Sequence, residues 1–233
     1  MAMIKYVLKK ILSNLEINLL NKLTANSLIQ DHYKRILKIK TYENRIDYLK
    51  NISKYLNNLD NLIILEFGVF KGESLKIFSD YIRSLEARFY GFDTFTGLPE
   101  KWLDLNKGHF NTNGLVPNIN DKRISYKIGL FEETLPEFIK NFNSDKKSNF
   151  NFFIHFDADL FSSTYLVLNL LSSFIDEYYF SFDEFPSDEV RALYQFEISK
   201  KCQIDFFFKQ KKSMSIPVAR VFGKLTNHIS KKN

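Results

Sequence analysis

The chain has 233 residues, of which 45% are hydrophobic and 26% charged, with a formal net charge of +6. This length allows one large domain, and the balance is that of a globular protein, not a disordered one. The single cysteine, Cys202, excludes an intrachain disulfide, and no Cys/His cluster has zinc spacing.

The first stretch, residues 3–22, sets Ile4, Val7, Leu8, Ile11, Leu12 and Leu15 at helical spacing between lysines. It predicts an amphipathic helix that packs on its own domain or on a second subunit, as in a homo-oligomer. Peripheral membrane contact is the alternative use. Lys9, Lys10, Ser13 and Asn14 break any continuous apolar core, so the stretch does not match a signal peptide. No segment approaches the roughly 20 apolar residues of a membrane span, and a cytoplasmic location is expected.

Helical patterns follow over 27–38 and from Thr41 to Leu56, with Thr41, Glu43 and Asn44 as the expected N-cap region. Asn57–Asn61 is a turn cluster. Residues 1–60 are therefore expected to form an N-terminal helical extension, and 61–233 the main domain.

From Leu62 the pattern alternates. Strands are predicted at Leu62–Leu65, Arg88–Phe92, Ile124–Ile128, Phe150–Phe156, Tyr178–Phe182, Ile204–Phe208 and Val218–Phe222. Helices are predicted over 74–85, 135–142, 165–175 and 188–200. Only a loop separates the last two strands, so they can pair antiparallel. The rest reads as an α/β fold: a mostly parallel seven-stranded sheet covered on both faces, with an antiparallel C-terminal strand.

Acidic residues stand at successive strand ends: Glu66, Asp93, Asp157 with Asp159, and Asp183 with Glu184. Ligands of open α/β sheets gather at those ends. In the turn Glu66-Phe67-Gly68-Val69-Phe70-Lys71-Gly72-Glu73-Ser74, glycines let backbone approach a ligand. The turn lacks the Gly-Lys-Ser/Thr of a P-loop and the Gly-x-Gly-x-x-Gly of a dinucleotide site. A glutamate before its first glycine suits an ammonium group, and Asp93 suits ribose hydroxyls. A nucleoside that carries an amino acid, S-adenosylmethionine, satisfies both.

The ordered series Glu66–Ser74, Gly91-Phe92-Asp93-Thr94-Phe95-Thr96-Gly97-Leu98-Pro99, Gly129-Leu130-Phe131-Glu132-Glu133-Thr134-Leu135-Pro136, His155–Thr164 and Asp183-Glu184-Phe185 resembles the macrocin O-methyltransferase family over roughly residues 60 to 200. The resemblance implies a Rossmann-like class I methyltransferase that methylates a sugar hydroxyl. It implies S-adenosylmethionine held by Glu66, Phe67, Gly68, Gly72, Ser74, Asp93, Thr94, Phe95, Gly129, Phe131 and Asp157. It also implies magnesium on Asp157, Asp183 and Glu184, where family members commonly carry a second Asp in place of Glu184. Phe161 stands where a Tyr is common.

A neutral alcohol is a poor nucleophile, so a divalent ion or a base must help. Asp157, Asp159 and His155 are the local candidates, and they share one face if the strand continues. The long loop Leu98–Asp121 is a candidate lid, with Trp102, Lys107, His109 and Phe110 available to a carbohydrate-containing acceptor. Two rivals remain. One is a glycosyltransferase that uses Asp157-x-Asp159 for its metal. The other is a non-catalytic binding protein on the same fold. The basic residues are dispersed with no recognition module, which argues against a nucleic-acid substrate.

Overall fold

The structure is a computed structural model that describes residues 30–142, 150–185, 188–200, 202–211 and 218–227. The expected helix over 3–22 lies outside the described residues. Helical residues 30–38 (α1) come first. They are followed by β1 (Lys40–Tyr42), α2 (Arg45–Leu56), β2 (Leu62–Phe67), α3 (Glu73–Tyr81), β3 (Arg88–Asp93) and β4 (Ile124–Ile128). The chain continues through α4 (Phe131–Phe142), β5 (Asn151–Phe156), α5 (Phe161–Ser172), β6 (Glu177–Phe182), α6 (Asp188–Lys200), β7 (Gln203–Gln210) and β8 (Arg220–Thr226).

The strands form one sheet in the order β1-β7-β8-β6-β5-β2-β3-β4. The core strands β4, β3, β2, β5 and β6 run parallel, and β8 lies antiparallel to both β6 and β7. Among the described residues the sheet has eight strands where seven are expected. The extra one is β1, which pairs parallel with β7 at the edge. It takes up Thr41, and within the expected N-cap region the cap of α2 is Asn44, whose side chain accepts from the Asp47 amide. Lys40-Thr41-Tyr42 is too short for period alone to mark it as a strand.

Strand alternation sorts the apolar residues into two layers. Ile63, Leu65 and Phe67 join Ile154, Phe156, Phe180 and Phe182 beneath α4, α5 and α6. Leu62, Ile64, Phe153 and Phe222 face Tyr48, Leu49 and Ile52 of α2 and Leu75 and Phe78 of α3. The helix α2 therefore builds one of the two cores, although it falls within the stretch 1–60 that the sequence reads as an extension. Among the described residues, no helix is long and apolar enough to cross a membrane.

The same alternation decides where polar residues go. Glu66, His155 and Ser181 pair across adjacent strands and face the α2/α3 layer. All three are fully buried.

Gly223 in β8 leaves no room for a side chain: a Cβ there would lie 2.2 Å from the Asp205 carbonyl oxygen and 2.7 Å from the Phe180 ring. Crowding of this kind costs about 1–3 kcal/mol. Gly223→Ala is expected to lower unfolding stability by that amount in denaturant titrations.

Candidate active site

A cavity of about 550 Å³ opens at the carboxyl ends of the parallel strands. Gly68, Asp93, Thr94 and Phe131 line one part of it, and Asp157, Asp159, Asp183 and Glu184 line another. The loop after β3 contributes Leu98, Pro99, Glu100, Trp102 and Phe110.

The turn after β2 is held by Asp93. One carboxylate oxygen accepts from the Val69 and Phe70 amides, each at 2.8 Å, and the other from the Phe95 amide at 2.7 Å. Asp93 thus fixes the glycine turn and still borders the cavity, with acceptor capacity left on the oxygen that meets the Phe95 amide. Gly68 (φ +91°) sits where a Cβ would lie 1.8 Å from the Asp157 carbonyl oxygen. Its smallness serves the crossing of the β2 and β5 ends as much as a ligand. The space beside Gly72 is filled by Pro117 and Ile119 of the long loop, so Gly72 does not border the cavity.

Glu66 lies beneath the turn, not in the cavity. It accepts a 2.5 Å hydrogen bond from Ser74 Oγ. Burial pushes its carboxyl up to about 8, against the Ser74 bond and the Arg45 charge. The expectation that Glu66 meets an ammonium group directly therefore needs revision: strand alternation turns its side chain under α3. Phe67, Ser74, Phe95 and Gly129 also do not line the cavity. Phe67 stacks on Phe92, and Phe95 packs in the α2/α3 core while its carbonyl accepts from Thr112 and Gly114 of the loop.

The acidic edge is crowded. Burial, followed by the charges of Asp183, Glu189 and Asp159, holds the Asp157 carboxyl well above the usual range. Burial with Glu184 and Asp183 raises Asp159 to about 7. Asp159 also adopts a left-handed backbone (φ +61°), as do Phe70 and Phe110 on the cavity wall. Such strain in non-glycine residues costs about 1–3 kcal/mol each and clusters at functional sites. The strand ends at Phe156, so Asp157 and Asp159 do not continue its alternation.

Three residues that sequence reading missed organise this edge. Glu189, from the first turn of α6, accepts from the Ala158 amide at 2.8 Å and the Asp159 amide at 3.2 Å. Arg220, the first residue of β8, grips Asp183 with two 2.7 Å bonds. Arg45, from α2, approaches Asp183 at 3.5 Å. Burial would raise Asp183, but the bonds and charge of Arg220 outweigh it and hold the carboxyl below its ordinary value. The visible signal for Arg220 was a guanidinium in an otherwise apolar strand pattern.

His155 is fully buried and does not line the cavity. Its ring lies edge-on to Phe78, and neither nitrogen makes a hydrogen bond with a described residue. Burial pushes the imidazole down to about 4, against the pull of Asp183. It is thus neutral and out of reach as a base, contrary to its place among the candidates.

The long loop folds on itself. Leu98 and His109 exchange backbone contacts through Gly108, and Trp102 bridges Leu105. Ser162 Oγ of α5 donates to Glu100, which ties the loop across the cavity. Trp102 and Phe110 border the cavity, with Phe110 packed edge-on to Phe70. Lys107 and His109 do not border it.

In overall structure, the chain resembles the O-methyltransferase NovP, with a TM-score of 0.53 and 16% identity over 77% of this chain and 78% of that one. It also resembles CalS11, a TDP-rhamnose 3'-O-methyltransferase of calicheamicin biosynthesis, with a TM-score of 0.50 and 18% identity over 76% and 77% of the two chains. The chain has the class I methyltransferase fold. No family model matches it, and no curated protein matches it in sequence. Within that fold the cavity lies at the expected strand ends.

Two outcomes follow from this geometry. Glu66 has a folded pKa raised above its ordinary 4.5, so stability is fullest below that value and falls as pH rises through about 8. Glu66→Gln should flatten that decline in unfolding titrations across the same range. Gly68→Ala, whose Cβ would meet the Asp157 carbonyl at a positive φ, should lower unfolding stability by at least about 1–3 kcal/mol in denaturant titrations.

Proposed function

We propose that residues 61–233, with the edge strand and helix lent by the extension 1–60, form an S-adenosylmethionine-dependent O-methyltransferase. The acceptor is a hydroxyl of a sugar or sugar-containing small molecule, as in the macrocin O-methyltransferase family. The observation that carries this reading is the two-part cavity. A glycine turn and Asp93 stand at one part, and carboxylates at the other. The reading includes a cytoplasmic setting and a small-molecule acceptor, not nucleic acid.

When bound, S-adenosylmethionine supplies an electrophilic methyl group on a sulfonium. The protein's part is to place an oxygen in line with it and remove that oxygen's proton. Asp93 and Thr94 border the space for a ribose, and Phe131 offers an aromatic wall. Carboxylates accept hydrogen bonds from the many hydroxyls of a sugar, and Trp102 and Phe110 give its apolar faces a surface. Asp159 is the proposed base. It borders the cavity, and its pKa near 7 matches the proton affinity that general base catalysis favours near neutral pH.

Magnesium fits this centre only in part. Asp157 and Glu184 border the cavity, but both oxygens of Asp183 are held by Arg220. Among the described residues, the three possible ligands that converge are His155, Asp157 and Asp183, and the group omits Glu184. An imidazole buried beside Arg-bound Asp183 is a poor third donor for a hard ion. The same convergence omits Asp159 and so gives no support to a glycosyltransferase that clasps an ion with Asp157 and Asp159.

Asp159→Asn should lower methyl transfer to a sugar hydroxyl by about 10²–10⁴-fold while S-adenosylhomocysteine binding persists. In the parent protein a base must be deprotonated to act, so the rate should rise with pH and level off above about 7. A flat profile through that region, with activity intact in the variant, would remove Asp159 from the mechanism.

A further inference from the structure

Arg220 stands at the acidic edge because β8 runs against its neighbours. The parallel strands deliver their last residues to this edge, whereas antiparallel β8 delivers its first. Phe182 of β6 pairs with Val221, which sets Asp183 beside Arg220.

Each nitrogen of the guanidinium has a partner there. Nε and Nη2 donate to the two oxygens of Asp183, each at 2.7 Å, and Nη1 donates to Gln210 Oε1 at 2.9 Å. Gln210 is buried at the end of β7, so the third arm is fixed by the core of the sheet. Arg45 adds a second positive charge, with Nε at 3.5 Å from Asp183 and Nη1 at 2.6 Å from Glu73. A bidentate fork is among the strong hydrogen-bonding geometries open to a carboxylate, and Gln210 holds it in place from the other side.

We propose that Arg220 is the resident cation of this centre and competes with a divalent ion for Asp183. A metal on Asp183 would have to share its oxygens with a guanidinium and sit within a few ångströms of a like charge, which weakens it. The chain thereby carries in its own sequence the positive charge that the family resemblance assigns to magnesium. This inference rests on the methyltransferase reading only for its catalytic consequence. Cation binding can be measured whether or not the protein transfers a methyl group.

The test is titration of the full chain with Mn²⁺ alone, followed by electron paramagnetic resonance. The parent should bind weakly. Arg220→Met, of similar length and without charge, should gain at least about tenfold in Mn²⁺ affinity, equal to about 1.4 kcal/mol. Arg220→Lys keeps the charge without the fork and should fall between them. In the parent background, Asp183→Asn should leave Mn²⁺ binding unchanged. Tight binding in the parent that Asp183→Asn abolishes would overturn the proposal, as would a folded Arg220→Met variant with no gain. Should Arg220→Met fail to fold by circular dichroism, the Asp183→Asn and Arg220→Lys titrations decide the matter.

Discussion

The pairing of Asp183 with Arg220 sets the electrostatics of the whole strand-end edge. Several carboxylates meet there at close quarters, and isolated burial of so many like charges would be costly. One of them is neutralised by a clamped guanidinium and stays ionised. Its neighbours Asp157, Asp159 and Glu189 feel burial and one another, and all hold protons more readily than usual. Environment thus divides chemically similar groups into a fixed anion and a set of proton acceptors. That division is the usual way one fold assigns different tasks to identical side chains.

A second polar layer lies just below. Glu66, His155 and Ser181 occupy matched positions on three adjacent strands and point toward α2 and α3. Ser74 bonds Glu66, and Tyr48 bonds Ser181 at 2.8 Å. These groups border no part of the cavity. They tie the sheet to the two helices directly under the turns that do. Arg45 begins one of those helices and reaches Asp183, so the layer and the edge share a support.

Much of this architecture was legible in the chain. Short apolar runs with acidic ends, alternating with helical periods, specify a parallel sheet with a site at its carboxyl edge. The order of Glu66–Ser74, Gly91–Pro99 and Asp157–Asp159 placed Gly68, Asp93, Thr94, Asp157 and Asp159 on the cavity wall. What escaped was orientation. Period two tells which residues share a face, not which face meets the ligand, and so Glu66 stands in the sequence as a partner for an ammonium group and His155 as one of three candidate bases. The strand β1 escaped because three residues carry too little pattern. Arg220 and Glu189 escaped because each acts through residues far away in sequence: 37 positions separate Arg220 from Asp183, and 31 separate Glu189 from Ala158.

The loop after β3 has a consequence for how the molecule can be watched. Trp102 is the chain's sole tryptophan, and it is only 7% exposed where it borders the cavity. Indole emission responds to the polarity and water around the ring. The indole fluorescence of this protein therefore issues from a single vantage point on the cavity wall. A change in what fills that space is written into the colour of its light.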